Sequence, residues 1–104
     1  MIVYFDTSAI IPILISEPST TICRRLWHDA DRCVSSRVAF VEATAALAMA
    51  ERQQRLTAEL HDRSLANLRT LWSDLDVVEV TPRLMEAAAG FARELALRGY
   101  DALH

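Results

Sequence analysis

Three acidic residues on separate segments have the best-defined chemistry in this sequence. Asp6 directly follows a short apolar run, Glu42 lies within a long apolar helical segment, and Asp101 opens the last segment of the chain. Carboxylate oxygens are the hard ligands that Mg²⁺ and Mn²⁺ prefer. A metal ion held in this way activates water and neutralises charge on a phosphoryl group. The three acids therefore predict a divalent-metal site suited to cleaving phosphodiesters.

Each acid also has a simpler explanation when it is taken alone. Asp6 and Asp101 both stand where an aspartate can cap the start of a helix and interact favourably with its dipole. Glu42 is expected to be buried, and a buried carboxylate is costly without a partner, so an ion pair with Arg37 or Arg24 would also explain it. Only the combination of the three favours a shared site.

The segments that must position these acids alternate between strands and helices. Strands are expected at residues 2–5, 33–35 and 76–80, and helices at residues 7–15, 20–30, 38–50, 57–75 and 82–99, with a further helix beginning at residue 100. This alternation is typical of an α/β fold with a parallel sheet covered by helices on both faces. Asp6 then lies at the carboxyl end of a strand, where such sheets bind ligands.

Length and composition predict a single cytosolic domain spanning residues 1–104. The chain has 52% hydrophobic and 24% charged residues, with two glycines and three prolines. The N-terminus has no basic region before its apolar run, and no apolar stretch reaches the roughly 20 residues that a membrane span needs. Cys23 and Cys33 are expected to be buried thiols.

The charged residues argue against a protein that coats nucleic acid through bulk electrostatics. The net charge is −3, and all 11 basic residues are arginine. The planar guanidinium group of arginine is suited to binding phosphate or carboxylate. The absence of lysine, however, is better explained by codon use in a GC-rich genome than by function.

The C-terminal residues predict a domain that continues beyond His104. Three short strands are few for a parallel sheet, and the chain stops just as a new helix begins, although an isolated first turn is unfavourable.

The acidic motifs resemble those of the PIN-domain nucleases, and in particular the VapC-type toxins of bacterial toxin–antitoxin pairs. Phe5-Asp6-Thr7-Ser8-Ala9-Ile10 is similar to the first motif of the family. Glu42 in Ser36-Arg37-Val38-Ala39-Phe40-Val41-Glu42-Ala43 resembles the second acid, and Tyr100-Asp101-Ala102-Leu103-His104 resembles the third motif. The resemblance follows the whole chain in order and spacing, and it implies a three-layer PIN-like fold.

The resemblance also implies a function and a set of partners. It implies a Mg²⁺-dependent endoribonuclease, with Mn²⁺ as a substitute, which is neutralised by a cognate VapB-like antitoxin and forms a homodimer. Asp6 and Asp101 would bind the metal, Glu42 would complete the acidic cluster and position water, and Ser8 would support the cluster by hydrogen bonding. The family pattern continues with another strand and a fourth acid, so this sequence predicts an incomplete sheet and metal shell.

Two other function classes fit parts of the sequence. A binding module without catalysis would engage an antitoxin or nucleic acid through the arginines near Arg52 and Arg55. Phosphotransfer by an aspartate nucleophile would suit Asp6. Receiver domains need a lysine, however, which this chain lacks, and the haloacid-type motif has an acid where Ser8 stands.

Overall fold

The structure, a computed structural model, describes residues 1–79 as a parallel sheet with four helices. Its elements in chain order are β1 (Ile2–Tyr4), α1 (Thr7–Leu14), α2 (Thr20–Asp29), β2 (Arg32–Ser36), α3 (Arg37–Arg52), α4 (Ala58–Ser73) and β3 (Asp76–Val78). The predicted α/β class and its first four helices are confirmed. The expected helix at residues 82–99 and the segment containing Asp101 lie outside the described residues.

The sheet has the order β1-β2-β3, with β2 in the centre and both pairings parallel. Val3 pairs with Cys33, and Ser35 pairs with Val77. Because parallel strands end at the same edge, the residues that follow β1 and β2 leave the sheet side by side. Asp6 and the start of α3 therefore lie at one edge.

The core lies between the sheet and the helices. Its fully buried apolar side chains come from the end of β1 and from α1, α3 and α4, and they are Phe5, Ile10, Pro12, Ala43, Leu47 and Leu68. Trp27 packs edge-on against Phe5 and Trp72 against Phe40, with ring centroids 5.3 and 5.1 Å apart. Such edge contacts are favourable for aromatic rings, and both tryptophans pack against the core.

Several apolar positions are more exposed than their sequence context indicates. On β1 only Val3 packs against the core, while Ile2 and Tyr4 are exposed, so this strand is buried on one face alone. On α2 the buried residue is Cys23, whereas the neighbouring Ile22 is 66% exposed. None of the helices within residues 1–79 is long and apolar enough to cross a membrane.

The end of α3 is a Schellman turn. Gln54 has φ of 60°, its N–H donates to the Glu51 carbonyl at 2.9 Å, and the Arg55 N–H donates to the Ala50 carbonyl at 2.8 Å. These two bonds satisfy carbonyls at the helix end, and the left-handed residue between them favours glycine. The turn fixes the direction in which the chain leaves α3.

Replacing Gln54 with glycine is therefore expected to stabilise the protein. Relief of the left-handed Cβ penalty should outweigh the added entropy of the unfolded chain and raise the free energy of unfolding by roughly 0.5–1 kcal/mol, measured by denaturant titration. Gln53→Gly is the matched control, because Gln53 has φ of −84° and gains nothing from glycine. Equal effects of the two substitutions would contradict this assignment.

Both cysteines in residues 1–79 are free thiols, Cys23 buried and Cys33 half-buried. Burial raises the pKa of the Cys33 thiol above its ordinary value, and the negative charge of Asp76 on the neighbouring strand raises that pKa further. Both effects disfavour the thiolate. Cys33 is thus a protonated, unreactive thiol near neutral pH.

Alkylation of Cys33 should have an alkaline midpoint that falls when Asp76 is neutralised. In a Cys23→Ala background, the rate of alkylation by iodoacetamide should increase at a higher pH than it does for an unfolded peptide thiol. Asp76→Asn should shift this increase to lower pH. The free energy of unfolding should decrease as pH rises from about 8.5 through the pKa of the folded thiol, because the unfolded thiol ionises first. Asp62→Asn, on α4, should leave the midpoint unchanged.

Candidate metal centre

The backbone immediately before Asp6 is anchored from both sides. The Phe5 N–H donates to the Val34 carbonyl at 2.8 Å, and the buried Ser35 hydroxyl donates to the Phe5 carbonyl at 2.6 Å. The Phe5 ring is completely buried in the core. Asp6 is consequently the first residue to leave the sheet edge, and it leaves from a fixed position.

Asp6 caps helix α1 with only one of its two carboxylate oxygens. Oδ1 accepts a hydrogen bond from the Ala9 N–H at 3.1 Å and another from the Ser8 hydroxyl at 2.7 Å. Oδ2 has no hydrogen-bond partner among residues 1–79. The capping interpretation of Asp6 is therefore confirmed, yet capping leaves an oxygen that can bind a cation.

Glu42 is exposed, so the prediction that it is buried is wrong. Helix α3 buries Ala39, Ala43, Leu47 and Ala50, which form one stripe along the helix, and Glu42 lies beside this stripe rather than within it. Val41, the preceding residue, is 67% exposed, so high apolar content here does not mean burial on all sides.

The ion-pair explanation for Glu42 is also not found in the described part of the chain. Arg37 pairs with Glu79 at 2.8 Å, and the Arg24 guanidinium donates to the Ile13 carbonyl at 3.2 Å. Glu42 instead accepts a hydrogen bond through Oε2 from the Thr7 hydroxyl, at 3.2 Å. The contact joins the beginning of α1 to the second turn of α3.

Thr7 is a site residue that sequence reasoning did not identify. Its only signal in the sequence was its place between Asp6 and Ser8, and the partner of its hydroxyl lies 35 positions further along the chain. The two successive hydroxyl residues bind different acids of the site, since Ser8 donates a hydrogen bond to Asp6 and Thr7 donates one to Glu42.

Asp6 and Glu42 open onto one cavity of about 520 Å³ at the sheet edge. Its lining consists of Asp6, Thr7, Ser8, Ile11, Glu17, Glu42, Ala46 and Arg55. Two other cavities in residues 1–79 are lined without any acidic residue. The two predicted acids on separate elements are thus brought together by the fold.

The residues of this cavity fit a hard divalent cation. Their carboxylate and hydroxyl oxygens are of the type that Mg²⁺ prefers, and an open cavity leaves room for the waters that Mg²⁺ usually retains. Within residues 1–79 there is no group of three His, Cys, Asp or Glu residues arranged to hold a metal ion. Asp101, the third predicted acid, lies outside the described residues.

Comparison with known proteins places the chain in a family. The family model for the PIN domain matches residues 3–104. Ribonuclease VapC45 from Mycobacterium tuberculosis strain CDC 1551 / Oshkosh is 39% identical over 104 residues, which cover 99% of this chain and 72% of the relative. Ribonuclease VapC49 from Mycobacterium tuberculosis strain H37Rv shows the same identity and coverage. The protein therefore belongs to the PIN-domain family, and its resemblance to VapC-type members is confirmed.

Proposed function

We propose that this protein is a metal-dependent endoribonuclease of the VapC type. The observation that carries the proposal is the shared cavity, onto which Asp6 and Glu42 open from separate elements. Each carboxylate uses one oxygen for a hydrogen bond to a neighbouring hydroxyl and keeps a second oxygen without a partner in residues 1–79. The two relatives named as ribonucleases support RNA as the substrate.

The cofactor in this proposal is Mg²⁺, with Mn²⁺ as a substitute, held by Asp6 and Asp101. When bound, the ion supplies positive charge at the phosphoryl oxygens and a more acidic water. Ser8 and the Ala9 N–H hold Oδ1 of Asp6, which fixes the orientation of the other oxygen. Thr7 fixes Glu42 in the same way, through a single hydrogen bond to Oε2.

Glu42 is proposed to position the attacking water. The water oxygen bonds to phosphorus in line with the leaving group and gives up a proton to solvent. The bond between phosphorus and the 3′-oxygen breaks, and the 3′-oxygen takes up a proton from solvent. The products are a 5′-phosphate and a 3′-hydroxyl. Positioning and electrostatic stabilisation are the main contributions that a protein makes to such a displacement.

The biological role in this proposal is that of a cytosolic toxin neutralised by a cognate VapB-like antitoxin. The VapC-type relatives support it, and so does the exposed apolar surface of α2 and α3, where Ile22 and Val41 are about two-thirds exposed. Exposed apolar side chains are available for contacts with another chain, and such contacts are favoured where these side chains form a contiguous patch. The same argument supports a homodimer.

Removing either carboxylate should abolish RNA cleavage. Asp6→Asn and Glu42→Gln are each expected to lower kcat by about 10²-fold or more with Mg²⁺ or Mn²⁺, because each removes a charged oxygen from the centre. Asparagine is also a good helix cap, so Asp6→Asn should keep the fold intact. The measurement is cleavage of a labelled RNA by partner-free protein.

Asp62→Asn is the matched control for these variants, since Asp62 is an exposed acid on α4 outside the cavity. Equal cleavage by wild type, Asp6→Asn and Glu42→Gln would refute the proposal. Wild-type protein that binds RNA or an antitoxin but cuts no RNA would instead support a binding module.

Removing the hydroxyl of Thr7 should lower kcat rather than raise KM. Thr7→Val keeps the side-chain shape but removes the donor to Glu42, and it is expected to lower kcat by up to about tenfold, the value of one hydrogen bond, with little change in KM. Thr7→Ser keeps the hydroxyl and should restore most of the rate. If the serine variant is as slow as the valine variant, the hydrogen bond to Glu42 is not what Thr7 contributes.

A further inference from the structure

An ion pair stands in the wall of the acidic cavity. The Arg55 guanidinium contacts the Glu17 carboxylate, with Nη2 and Oε1 3.1 Å apart, and both residues line the cavity with Asp6 and Glu42. The Arg55 side chain is 53% exposed and that of Glu17 is 25% exposed. An ion pair this open to water adds little to stability, so its position at the cavity invites another explanation.

The backbone holds both members of the pair in place. Arg55 follows the Schellman turn, in which its own N–H donates to the Ala50 carbonyl at 2.8 Å. The Glu17 N–H donates to the Thr20 hydroxyl at 2.8 Å, and that hydroxyl in turn donates to the Pro12 carbonyl at 2.6 Å. The two members of the ion pair thus lie on two loops, each held in place by hydrogen bonds.

The charges around the cavity distinguish Arg55 from the other lining residues. Asp6, Glu17 and Glu42 are acidic, and Arg55 is the single basic lining residue in the described part of the chain. A strand of RNA carries a negative phosphate at every nucleotide and would be repelled by these acids. Arginine offers five donors in a planar fork, so contact with one carboxylate oxygen leaves others available for phosphate.

Arg55 also lines a second cavity, of about 370 Å³. The other residues of that cavity are Leu14, Ile15, Ser16, Leu56, Leu60 and Ser64. Arg55 therefore lies on the boundary between the acidic cavity and a mainly apolar pocket. A polynucleotide that occupies both the acidic cavity and this pocket would lie beside Arg55.

We propose that Arg55 binds a non-bridging oxygen of an RNA phosphate next to the scissile one, and that Glu17 is a positioning residue that holds the guanidinium at the cavity. The proposal rests on the proposed ribonuclease function and adds a substrate-binding residue to it. Arg55 acts on substrate affinity, whereas Asp6 and Glu42 act on the chemical step.

The test measures the salt dependence of RNA binding. A fluorescein-labelled single-stranded RNA oligonucleotide is titrated with Asp6→Asn protein, which leaves it intact, at several salt concentrations. Adding Arg55→Ala should weaken binding by about tenfold and reduce the slope of log affinity against log salt by about 0.7, the value for one phosphate contact on a single strand. Arg55→Lys should keep the slope and recover part of the affinity.

Two control variants separate this role from simpler ones. Arg52→Ala removes the same charge from the last turn of α3, outside the cavity lining, and should leave the slope unchanged. Glu17→Gln breaks the ion pair but keeps the arginine charge, so the slope should also be retained. In the cleavage-competent protein, Arg55→Ala should raise KM more than it lowers kcat.

The proposal is overturned if adding Arg55→Ala to the Asp6→Asn protein leaves the salt slope of RNA binding unchanged. It is equally overturned if Arg55→Ala and Glu17→Gln lose affinity and thermal stability to the same extent, since that would show a purely structural ion pair. If wild type cleaves RNA and the Asp6 and Glu42 variants do not, an unchanged Arg55→Ala refutes only the role of Arg55. Wild-type protein that neither binds nor cleaves RNA refutes the ribonuclease function as well.

Discussion

The anchoring of Phe5 at the end of β1 is the constraint on which the candidate site depends. Its ring is fully buried against Trp27, its N–H is bound by the Val34 carbonyl, and its carbonyl is bound by the Ser35 hydroxyl. An unpaired backbone group in such a buried position would be costly, so the sheet edge has little freedom here. Asp6 inherits this fixed position because it is the next residue.

In the candidate site, the two oxygens of each carboxylate have different roles. One accepts hydrogen bonds from neighbouring residues, and the other is available for a ligand. A cap and a metal ligand are often treated as alternative roles for an aspartate that begins a helix. In this structure the cap uses only Oδ1 of Asp6, and the neighbouring Ser8 hydroxyl binds that same oxygen. Capping therefore orients the carboxylate, so the cap and the proposed ligand role of Asp6 are compatible.

Sequence patterns predicted the parts of the structure that depend on local order. The alternation of strands and helices predicted the parallel sheet, and the spacing of apolar residues predicted which helices pack. The same patterns overestimated burial on α3, because small and branched apolar residues also occupy its exposed side, as Val41 shows. Local sequence patterns could not predict the hydrogen bond between Thr7 and Glu42, since it joins residues 35 positions apart. No motif marks the left-handed Gln54 either, because glycine is the usual signal there.

The division between buried and exposed residues separates the fold from its proposed chemistry. Stability comes from buried apolar side chains such as Leu47 and Leu68, whereas Glu42 and Arg55 are exposed and Asp6, also exposed, contributes to the fold through its cap of α1. Substitutions at exposed positions usually change stability little. Glu42 and Arg55 can therefore be exchanged while the anchored backbone stays in place, and asparagine at position 6 keeps the cap. Because the scaffold persists, a loss of activity in such variants reports on the removed group itself.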